Sequence, residues 1–356
     1  MERRILFCTT CNAKFDVSSV GPGMRFLCKS CRTTIKVPDY FGAGDPAPKD
    51  LPADAAAVEV ISCDLIEEAP VGEDELAGLS FTKMVGTGND FVVVDAFQQD
   101  LEQPSRAARS LCDRRFGVGA DGLLLVLPPE EGGDVRMRFF NPDGSEAEMC
   151  GNGLRCLAKF AHLHGQVKGR VMAVETMAGL RLAEILLEGA RVARVRIGLG
   201  LPALAPAEIP MLLEGDRAVD VPVEADGRTF RGTAVSLGNP HFVVFQPGVD
   251  ALDLAVLGPP IEKHPLFPKR TNVEFVEVVT PSLVKQRTWE RGAGETLACG
   301  TGAGAVCVAG TLLGKTEPRI TVRLRGGDLQ VERSESGEVF LEGPAEELYT
   351  GLWCPS

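Results

Sequence analysis

Two cysteines, Cys150 and Cys299, stand in matching contexts that could support acid–base chemistry at a carbon atom. Each is followed by Gly-x-Gly and then by a run of helical character, so each is predicted to begin a helix. Unpaired backbone N–H groups and partial positive charge at a helix N-terminus lower the pKa of a thiol and bind anions such as carboxylates. A thiolate on one side of a cleft could remove a proton while a thiol on the other side delivers one.

An internal duplication positions these cysteines. Asn89 lies in a Gly-Asn-Asp-Phe-Val-Val segment, and Asn239 lies in a Gly-Asn-Pro-His-Phe-Val-Val segment. The interval from Asn89 to Cys150 is almost the same as the interval from Asn239 to Cys299. Two motifs in the same order and at nearly the same spacing indicate two homologous lobes. Short strand-like runs precede each cysteine and a helical run follows it, so the sequence predicts an α+β fold in which antiparallel strands wrap around a central helix in each lobe.

The chain divides by composition into a small N-terminal module, a linker and a globular body. Residues 1–37 carry a net charge of +5, and residues 38–78, rich in Pro, Ala and acid, carry −10 and are predicted to be a flexible linker. The body is predicted to contain a first lobe at 79–197, with a C-terminal return of about 340–356, and a second lobe at 198–339. Since the whole chain carries −12, the body is acidic, which argues against nucleic acid as its main substrate.

The N-terminal module holds two Cys-x2-Cys pairs separated by sixteen residues. This spacing is typical of a four-cysteine zinc site, and zinc would supply the folding free energy that so short a segment lacks. The predicted ligands are Cys8, Cys11, Cys28 and Cys31. Four free thiols in a disordered tail, or a redox dithiol, are the alternatives. The module could bind a protein partner, which the sequence does not identify.

Cysteine usage and hydropathy also bear on location. The chain has 11 cysteines but no run of 18 apolar residues and no apolar segment of signal-peptide type at its start. We therefore expect a cytoplasmic protein with no membrane partner, in which the cysteines are thiols or metal ligands rather than disulfides. A disulfide between Cys150 and Cys299 is the competing covalent interpretation, and it would disable the proposed chemistry.

Six blocks of sequence in the body resemble the signature blocks of the diaminopimelate epimerase family. They are KMVGTGNDFVVVD, RRFGVGADGLLLV, RFFNPDGSEAEMCGNGLRC, SLGNPHF, RTNVEFV and WERGAGETLACGTGAGA. The resemblance covers residues 79 to about 353. It implies an epimerase that interconverts LL- and meso-2,6-diaminopimelate, on the route to lysine and cell-wall peptide, without pyridoxal phosphate or any other catalytic cofactor. It also suggests a homodimer.

The resemblance further implies roles for individual residues. In the LL-to-meso direction Cys299 is the expected proton acceptor and Cys150 the donor, and the reverse direction exchanges them. Glu290 and Arg291 match the pair that recognises the distal amino and carboxylate groups. Other positions match substrate contacts: Asn89, Asn141, Gly151, Asn152, Asn239, Asn272, Gly300 and Thr301. Gly122 follows Asp121 where some family members have Gln, so that side-chain contact is not carried over.

Two further functions stay open at the level of sequence. One is an epimerase or racemase for another amino acid on the same fold, although Glu290 and Arg291 favour a substrate with a second amino-acid head. The other is a zinc-dependent regulatory or nucleic-acid-binding protein with a degenerate enzyme body, against which the intact cysteines argue. Whether His241, Glu146 and Glu295 act in the site is also left open.

Overall fold

The computed structural model describes residues 76–354 and, before them, the backbone of four short strands. By its internal contacts the chain forms two units, Met1–Glu75 and Leu76–Ser356. In the first unit, β1 (Ile5–Phe7) pairs antiparallel with β2 (Lys14–Asp16), and β3 (Arg25–Leu27) pairs antiparallel with β4 (Thr34–Lys36).

Each predicted Cys-x2-Cys pair falls in the chain between the two strands of one of these hairpins. The four cysteines themselves lie outside the described residues, as does the predicted linker up to residue 75. The zinc site therefore stays a prediction. At the start of the second unit, Leu76 packs against a buried cluster and Gly78 N donates to Trp353 O at 2.8 Å.

The second unit is rich in strand, and in residues 76–354 the strands belong to one mixed sheet. Its strands are β5 (Ser80–Gly86), β6 (Asn89–Asp95), β7 (Gly122–Leu127), β8 (Val135–Phe140), β9 (Glu146–Ala147), β10 (Val171–Thr176), β11 (Gly179–Glu188), β12 (Arg191–Gly200), β13 (Val221–Ala225), β14 (Arg228–Ser236), β15 (Pro240–Phe245), β16 (Asn272–Thr280), β17 (Leu283–Glu290), β18 (Gly294–Thr296), β19 (Arg319–Leu324), β20 (Gly327–Arg333), β21 (Val339–Gly343) and β22 (Glu346–Leu352). Its helices are α1 (Pro104–Cys112), α2 (Gly151–Leu163), α3 (Leu254–Glu262) and α4 (Gly300–Leu312).

The strand pairing repeats along the chain. β6 pairs with β7 in parallel, β7 with β8 antiparallel and β8 with β10 in parallel. The same sequence of pairings recurs from β15 to β16, β17 and β19. The helices repeat with them, because the interval from the start of α1 to the start of α3 nearly equals the interval from α2 to α4. The internal duplication read from the sequence is therefore present in the fold.

The expectation of antiparallel strands alone is wrong, because each repeat contains two parallel pairings. The physical reason lies in the connections, since parallel neighbours need a crossover rather than a hairpin. Each of these parallel pairs is joined by a segment that contains one of the four helices. The chain thus uses α1 to α4 as crossovers, which the alternating sequence pattern of the strands does not reveal.

Helices α2 and α4 lie at the centre of the two repeats. α2 contacts β5, β11 and β12, and α4 contacts β14, β20 and β21. Ten of the thirteen residues of α2 and nine of the thirteen of α4 are buried. A helix that is buried on most of its surface needs apolar or small residues on nearly every side. α4 provides them throughout, whereas α2 also buries Asn152, Arg155 and Lys159.

Two further pairings join the repeats. β12 pairs antiparallel with β21, and β22 near the C-terminus pairs antiparallel with β5. β22 lies in the predicted C-terminal return of about 340–356 and pairs with β5 of the first lobe. β12 runs across the predicted lobe boundary at residue 197. The exact lobe limits stay a prediction. No helix in the described part of the chain is long and apolar enough to cross a membrane.

Candidate active site

A cavity of about 440 Å³ lies at the N-termini of α2 and α4, and both repeats contribute to its walls. Cys150 and Cys299 line it, as the duplication leads one to expect. Eight of the ten predicted substrate contacts also line it: Asn89, Asn141, Gly151, Asn152, Asn239, Glu290, Gly300 and Thr301. Sequence-distant segments therefore bring most of the predicted site residues to one place.

Each cysteine is the N-cap residue of its helix. The Sγ of Cys150 accepts a hydrogen bond from Gly153 N at 3.4 Å, and the Sγ of Cys299 accepts one from Gly302 N at 3.4 Å. Cys299 Sγ also lies 3.5 Å from Thr301 Oγ1. In both helices a first-turn N–H group is thus directed at a sulfur, the arrangement that stabilises a thiolate.

Burial nevertheless outweighs this stabilisation in the free protein. Burial raises the pKa of Cys150, although the Gly153 N–H and the Arg155 charge oppose it. Burial raises the pKa of Cys299 well above its ordinary value, and Glu290 and Glu274 raise it further. The expectation of a lowered thiol pKa from the helix N-termini alone is therefore wrong for both cysteines, because the cavity removes water from the sulfurs.

A chain of amide hydrogen bonds builds the wall next to Cys150. Asn152 Nδ2 donates to Asn89 Oδ1, and Asn89 Nδ2 donates to Asp121 Oδ2 at 3.1 Å. At the other end, Arg155 Nη2 donates to Asn152 Oδ1 at 2.8 Å. Both asparagine amides are thus held in one orientation by a cation at one end and a carboxylate at the other.

The wall next to Cys299 is built from different residues. His241 is buried, and its Nε2 lies 3.0 Å from Asn239 Oδ1 while its Nδ1 lies 2.8 Å from Glu274 Oε1. The side-chain N, O and S atoms of His241, Glu274 and Cys299 lie within 4.8 Å of one another, so the three buried groups occupy one corner of the site. Glu274 Oε2 is buried and has no hydrogen-bond partner among the described residues.

Glu290 completes this second wall. Its Oε1 accepts a hydrogen bond from Thr296 Oγ1 at 2.6 Å, and its side chain lines the same cavity as Cys299. Burial raises the pKa of Glu290 above its ordinary value. A carboxyl group with a raised pKa beside a buried thiol is suited to exchange a proton with it.

Two predicted contacts lie away from the cavity lining. Asn272 is buried, its Nδ2 donates to Pro240 O at 3.1 Å, and its Oδ1 accepts from Arg291 N at 2.8 Å. The guanidinium of Arg291 donates to Lys269 O at 3.0 Å. In this structure Asn272 thus fixes the backbone of Arg291 rather than facing the cavity, and the role of both in binding stays a prediction.

Sequence reasoning assigned no role to Glu274, Asp121 or Arg155. Glu274 alternates with Asn272 on β16, and Arg155 is a charge inside a helix that is otherwise mostly apolar. The sequence signal that could have pointed to Glu274 and Arg155 is a charged residue at a position where the local pattern predicts burial. Glu146 and Glu295, left open above, form bidentate ion pairs with Arg138 and Arg287 at equivalent positions of the two repeats.

Comparison with known proteins agrees with this architecture. The family model described as diaminopimelate epimerase matches residues 81–202 and 233–348. The diaminopimelate epimerase of Pelotomaculum thermopropionicum is 52% identical over 275 residues, which are 77% of this chain and 98% of that protein. The diaminopimelate epimerase of Desulforudis audaxviator is 53% identical over 277 residues, which are 77% of this chain and 99% of that protein.

Among solved structures, a probable proline racemase from Agrobacterium radiobacter superimposes with a TM-score of 0.59 at 16% identity, over 78% of this chain and 93% of that one. At this identity the likeness concerns the fold alone. The family model covers both cysteine-bearing repeats, and the two relatives are 52% and 53% identical over a similar share of the chain. The chain belongs to the diaminopimelate epimerase family.

Proposed function

We propose that this chain is a cofactor-independent epimerase that interconverts LL- and meso-2,6-diaminopimelate, in the synthesis of lysine and of cell-wall precursors. Cys150 and Cys299 are its acid–base pair. The observation that carries the proposal is the equivalent placement of these two thiols, each as the N-cap of a central helix and both on one cavity. Family membership supplies the substrate.

The helix N-termini hold the carboxylate attached to the reacting carbon. Gly151 at the start of α2, and Gly300 and Thr301 at the start of α4, line the cavity. The unpaired backbone N–H groups of a helix end carry partial positive charge and bind anions. The amides of Asn89 and Asn239 add polar contacts from the two repeats. These groups stabilise the substrate carboxylate and, more strongly, the negative charge that spreads onto it when the α-proton leaves.

Inversion then needs one proton transfer on each face. In the LL-to-meso direction the Cys299 thiolate takes the α-proton, so that an S–H bond forms as the C–H bond breaks and the electron pair stays on the α-carbon. The Cys150 thiol gives its proton to the opposite face of that carbon, and its sulfur becomes the thiolate. The enzyme ends with the protonation of the two sulfurs exchanged, ready for the reverse direction.

Glu290 assists Cys299 in proton transfer. Because Glu290 lines the same cavity as Cys299 and burial raises its pKa, it can receive the Cys299 proton when the thiolate forms. We also propose that Glu290 and Arg291 recognise the distal amino and carboxylate groups of diaminopimelate. Asn272 supports this recognition through its hydrogen bond to the backbone of Arg291.

The remaining parts of the proposal concern the rest of the chain. We propose that Cys8, Cys11, Cys28 and Cys31 bind one structural zinc ion, since each Cys-x2-Cys pair falls between the paired strands of a hairpin. The zinc module binds a protein partner rather than substrate. The enzyme body comprises two lobes divided near residue 197, and the protein is cytoplasmic and homodimeric.

Exchange of the α-proton with solvent tests the function. The full chain is incubated in deuterated buffer with LL- and meso-diaminopimelate and, as controls, with proline, histidine, glutamate and lysine. We expect deuterium at the α-carbon together with interconversion of LL and meso forms, and no exchange with the other amino acids. Faster exchange with one of those amino acids would assign a different substrate, and no exchange with any would refute an epimerase.

A further inference from the structure

Arg155 is a buried cation on the inner side of α2. Its side chain is 0% exposed, and its guanidinium donates to Thr87 Oγ1 at 2.7 Å and to Asn152 Oδ1 at 2.8 Å. Longer hydrogen bonds reach the backbone oxygens of Pro344 and Gly151. All of these acceptors are neutral, and within residues 76–354 Arg155 forms no ion pair.

Lys159, one turn further along α2, shows the usual solution for a buried cation. It is also buried, but its Nζ lies 3.0 Å from the carboxylate of Glu346. A buried charge without an opposite charge is costly unless a counter-ion arrives from elsewhere. Burial lowers the pKa of Arg155 to about 10, which still leaves it charged at neutral pH. Arg155 thus keeps its charge beside Asn152 with only neutral hydrogen-bond acceptors among the described residues.

Arg155 also fixes the orientation of two cavity amides. A guanidinium can only donate, so of the two ends of the Asn152 amide it can pair only with the carbonyl oxygen. The amide nitrogen of Asn152 then points to Asn89, whose own nitrogen points to Asp121. The other N–H of each amide is left for a ligand in the cavity that both asparagines line.

The second repeat has no counterpart of this cation. Arg155 is the fifth residue of α2, and the fifth residue of α4 is Gly304. A Cβ on Gly304 would lie 2.6 Å from Leu237 Cδ1 and 2.8 Å from Leu199 Cδ1, so a longer side chain there would have to displace both leucines. The cation of the first repeat is thus replaced by closely packed apolar groups in the second.

The second repeat instead carries a carboxylate that the first repeat lacks. Strand register aligns Glu274 on β16 with Leu124 on β7, because His241 pairs with Asn272 as Phe91 pairs with Gly122. The two sulfurs therefore occupy equivalent backbone positions but have different charged groups nearby.

Different charged groups act on the two sulfurs. Cys150 experiences Arg155, which favours its thiolate, and Glu290, which opposes it. Cys299 experiences two carboxylates, Glu290 and Glu274, and the second of these is hydrogen-bonded to His241. The balance of charge is therefore more positive at the first sulfur than at the second.

We propose that Arg155 is a positioning residue that orients Asn152 and Asn89 for substrate, and that its unpaired charge makes Cys150 the more acidic of the two thiols. The part that concerns substrate rests on the proposed function, whereas the part that concerns thiol acidity does not. In the free enzyme Cys150 is then the sulfur that ionises first.

Alkylation by iodoacetamide, followed by peptide mapping of each cysteine across pH, tests the acidity of the thiols. Because the two sulfurs differ in exposure, the midpoint of each pH–rate profile is compared rather than the absolute rate. In the wild-type protein we expect the midpoint of Cys150 to lie below that of Cys299. In Arg155→Gln the Cys150 midpoint should rise by about one unit, a roughly ten-fold loss of thiolate at neutral pH, with Cys299 unchanged.

Two further variants separate the effect of the Arg155 charge from effects on side-chain geometry and on stability. Arg155→Lys keeps the charge but loses the fork that holds Asn152, so it should leave the Cys150 midpoint near wild type and raise KM for diaminopimelate at least about five-fold. Lys159→Gln removes a neighbouring buried cation and should lower thermal stability without moving either midpoint or KM. If Arg155→Gln does not fold, the wild-type order of midpoints and the Arg155→Lys variant decide the matter.

The outcomes that would overturn the inference are specific. A Cys299 midpoint at or below that of Cys150 in the wild type would refute the charge assignment, as would an unchanged Cys150 midpoint in folded Arg155→Gln. An unchanged KM in Arg155→Lys would refute the positioning role. Alkylation needs no turnover, so failure of the proposed function would remove the KM measurement and leave the two midpoints to be judged separately.

Discussion

Replacing Gly302 by alanine should damage the site far more than the same change at its equivalent in the first repeat, Gly153. A Cβ on Gly302 would lie 2.7 Å from Glu274 Oε1 and 3.2 Å from Cys299 Sγ. Glu274 is buried and held by His241, so it has little freedom to withdraw. A Cβ on Gly153 would meet Leu124 Cδ2 at 3.1 Å, a methyl group that can give way by a small shift.

The magnitude follows from two opposing contributions. Overpacking a buried site costs about 1–3 kcal/mol, whereas Gly to Ala inside a helix gains up to about 1 kcal/mol. For Gly302→Ala the cost dominates, and a net loss of about 2 kcal/mol expressed at Cys299 corresponds to a roughly 30-fold fall in kcat/KM. For Gly153→Ala the contributions nearly cancel, and kcat/KM should change by less than about three-fold.

The assay is steady-state epimerisation of LL-diaminopimelate by both variants, with thermal unfolding measured alongside. We expect Gly302→Ala to lose activity and some stability, and Gly153→Ala to keep both. Equal effects of the two substitutions would refute the claim that the Cys299 side is the tightly packed one. A larger effect at Gly153 would reverse the assignment.

Three further expectations concern other parts of the chain. Glu295 accepts two hydrogen bonds from Arg287 and forms a second ion pair with Arg325, whereas Glu146 pairs with Arg138 alone. Glu295→Gln should therefore lower the free energy of unfolding by about 2 kcal/mol and Glu146→Gln by about 1 kcal/mol, as measured by urea unfolding. The reverse order would contradict this expectation. Metal analysis should find one zinc ion per full chain. A chain beginning at Leu76 should bind no zinc and keep most of the epimerase activity. Loss of activity in a well-folded shortened chain would refute the idea that the zinc module is dispensable for catalysis. Because burial raises the pKa of both catalytic thiols, their thiolate fraction grows with pH, and kcat/KM should increase from pH 7 to pH 9. A constant or falling kcat/KM would contradict a raised pKa for these thiols.

The features that the sequence could predict are those set by local pattern. The glycines after Cys150 and Cys299 mark the starts of two helices. The nearly equal intervals from Asn89 to Cys150 and from Asn239 to Cys299 reveal the internal duplication. Both sulfurs are indeed N-caps on one cavity. The parallel pairings were missed because strand direction depends on where a crossover helix packs, and no residue within a strand records that.

The electrostatics of the site could not be predicted for a different reason. A thiol pKa depends on which charges and how much water surround it in three dimensions, and Glu274 reaches Cys299 only because β16 runs beside β15. Similarly, Asn272 lies in a family block, yet its side chain turns to Pro240 and to the backbone of Arg291. A motif places a residue near a site, and packing decides which way the side chain faces.

The central claim is that two thiols serve opposite faces of one carbon, and deuterium labelling by single-cysteine variants tests it most directly. Cys150→Ala is given LL-diaminopimelate in deuterated buffer, and Cys299→Ala is given the meso form, with substrate binding checked separately. We expect each variant to bind substrate and to introduce deuterium slowly with retention of configuration, since the remaining thiol can remove and return a proton on its own face only. Appreciable inversion by either variant would contradict the account and indicate a single mobile base.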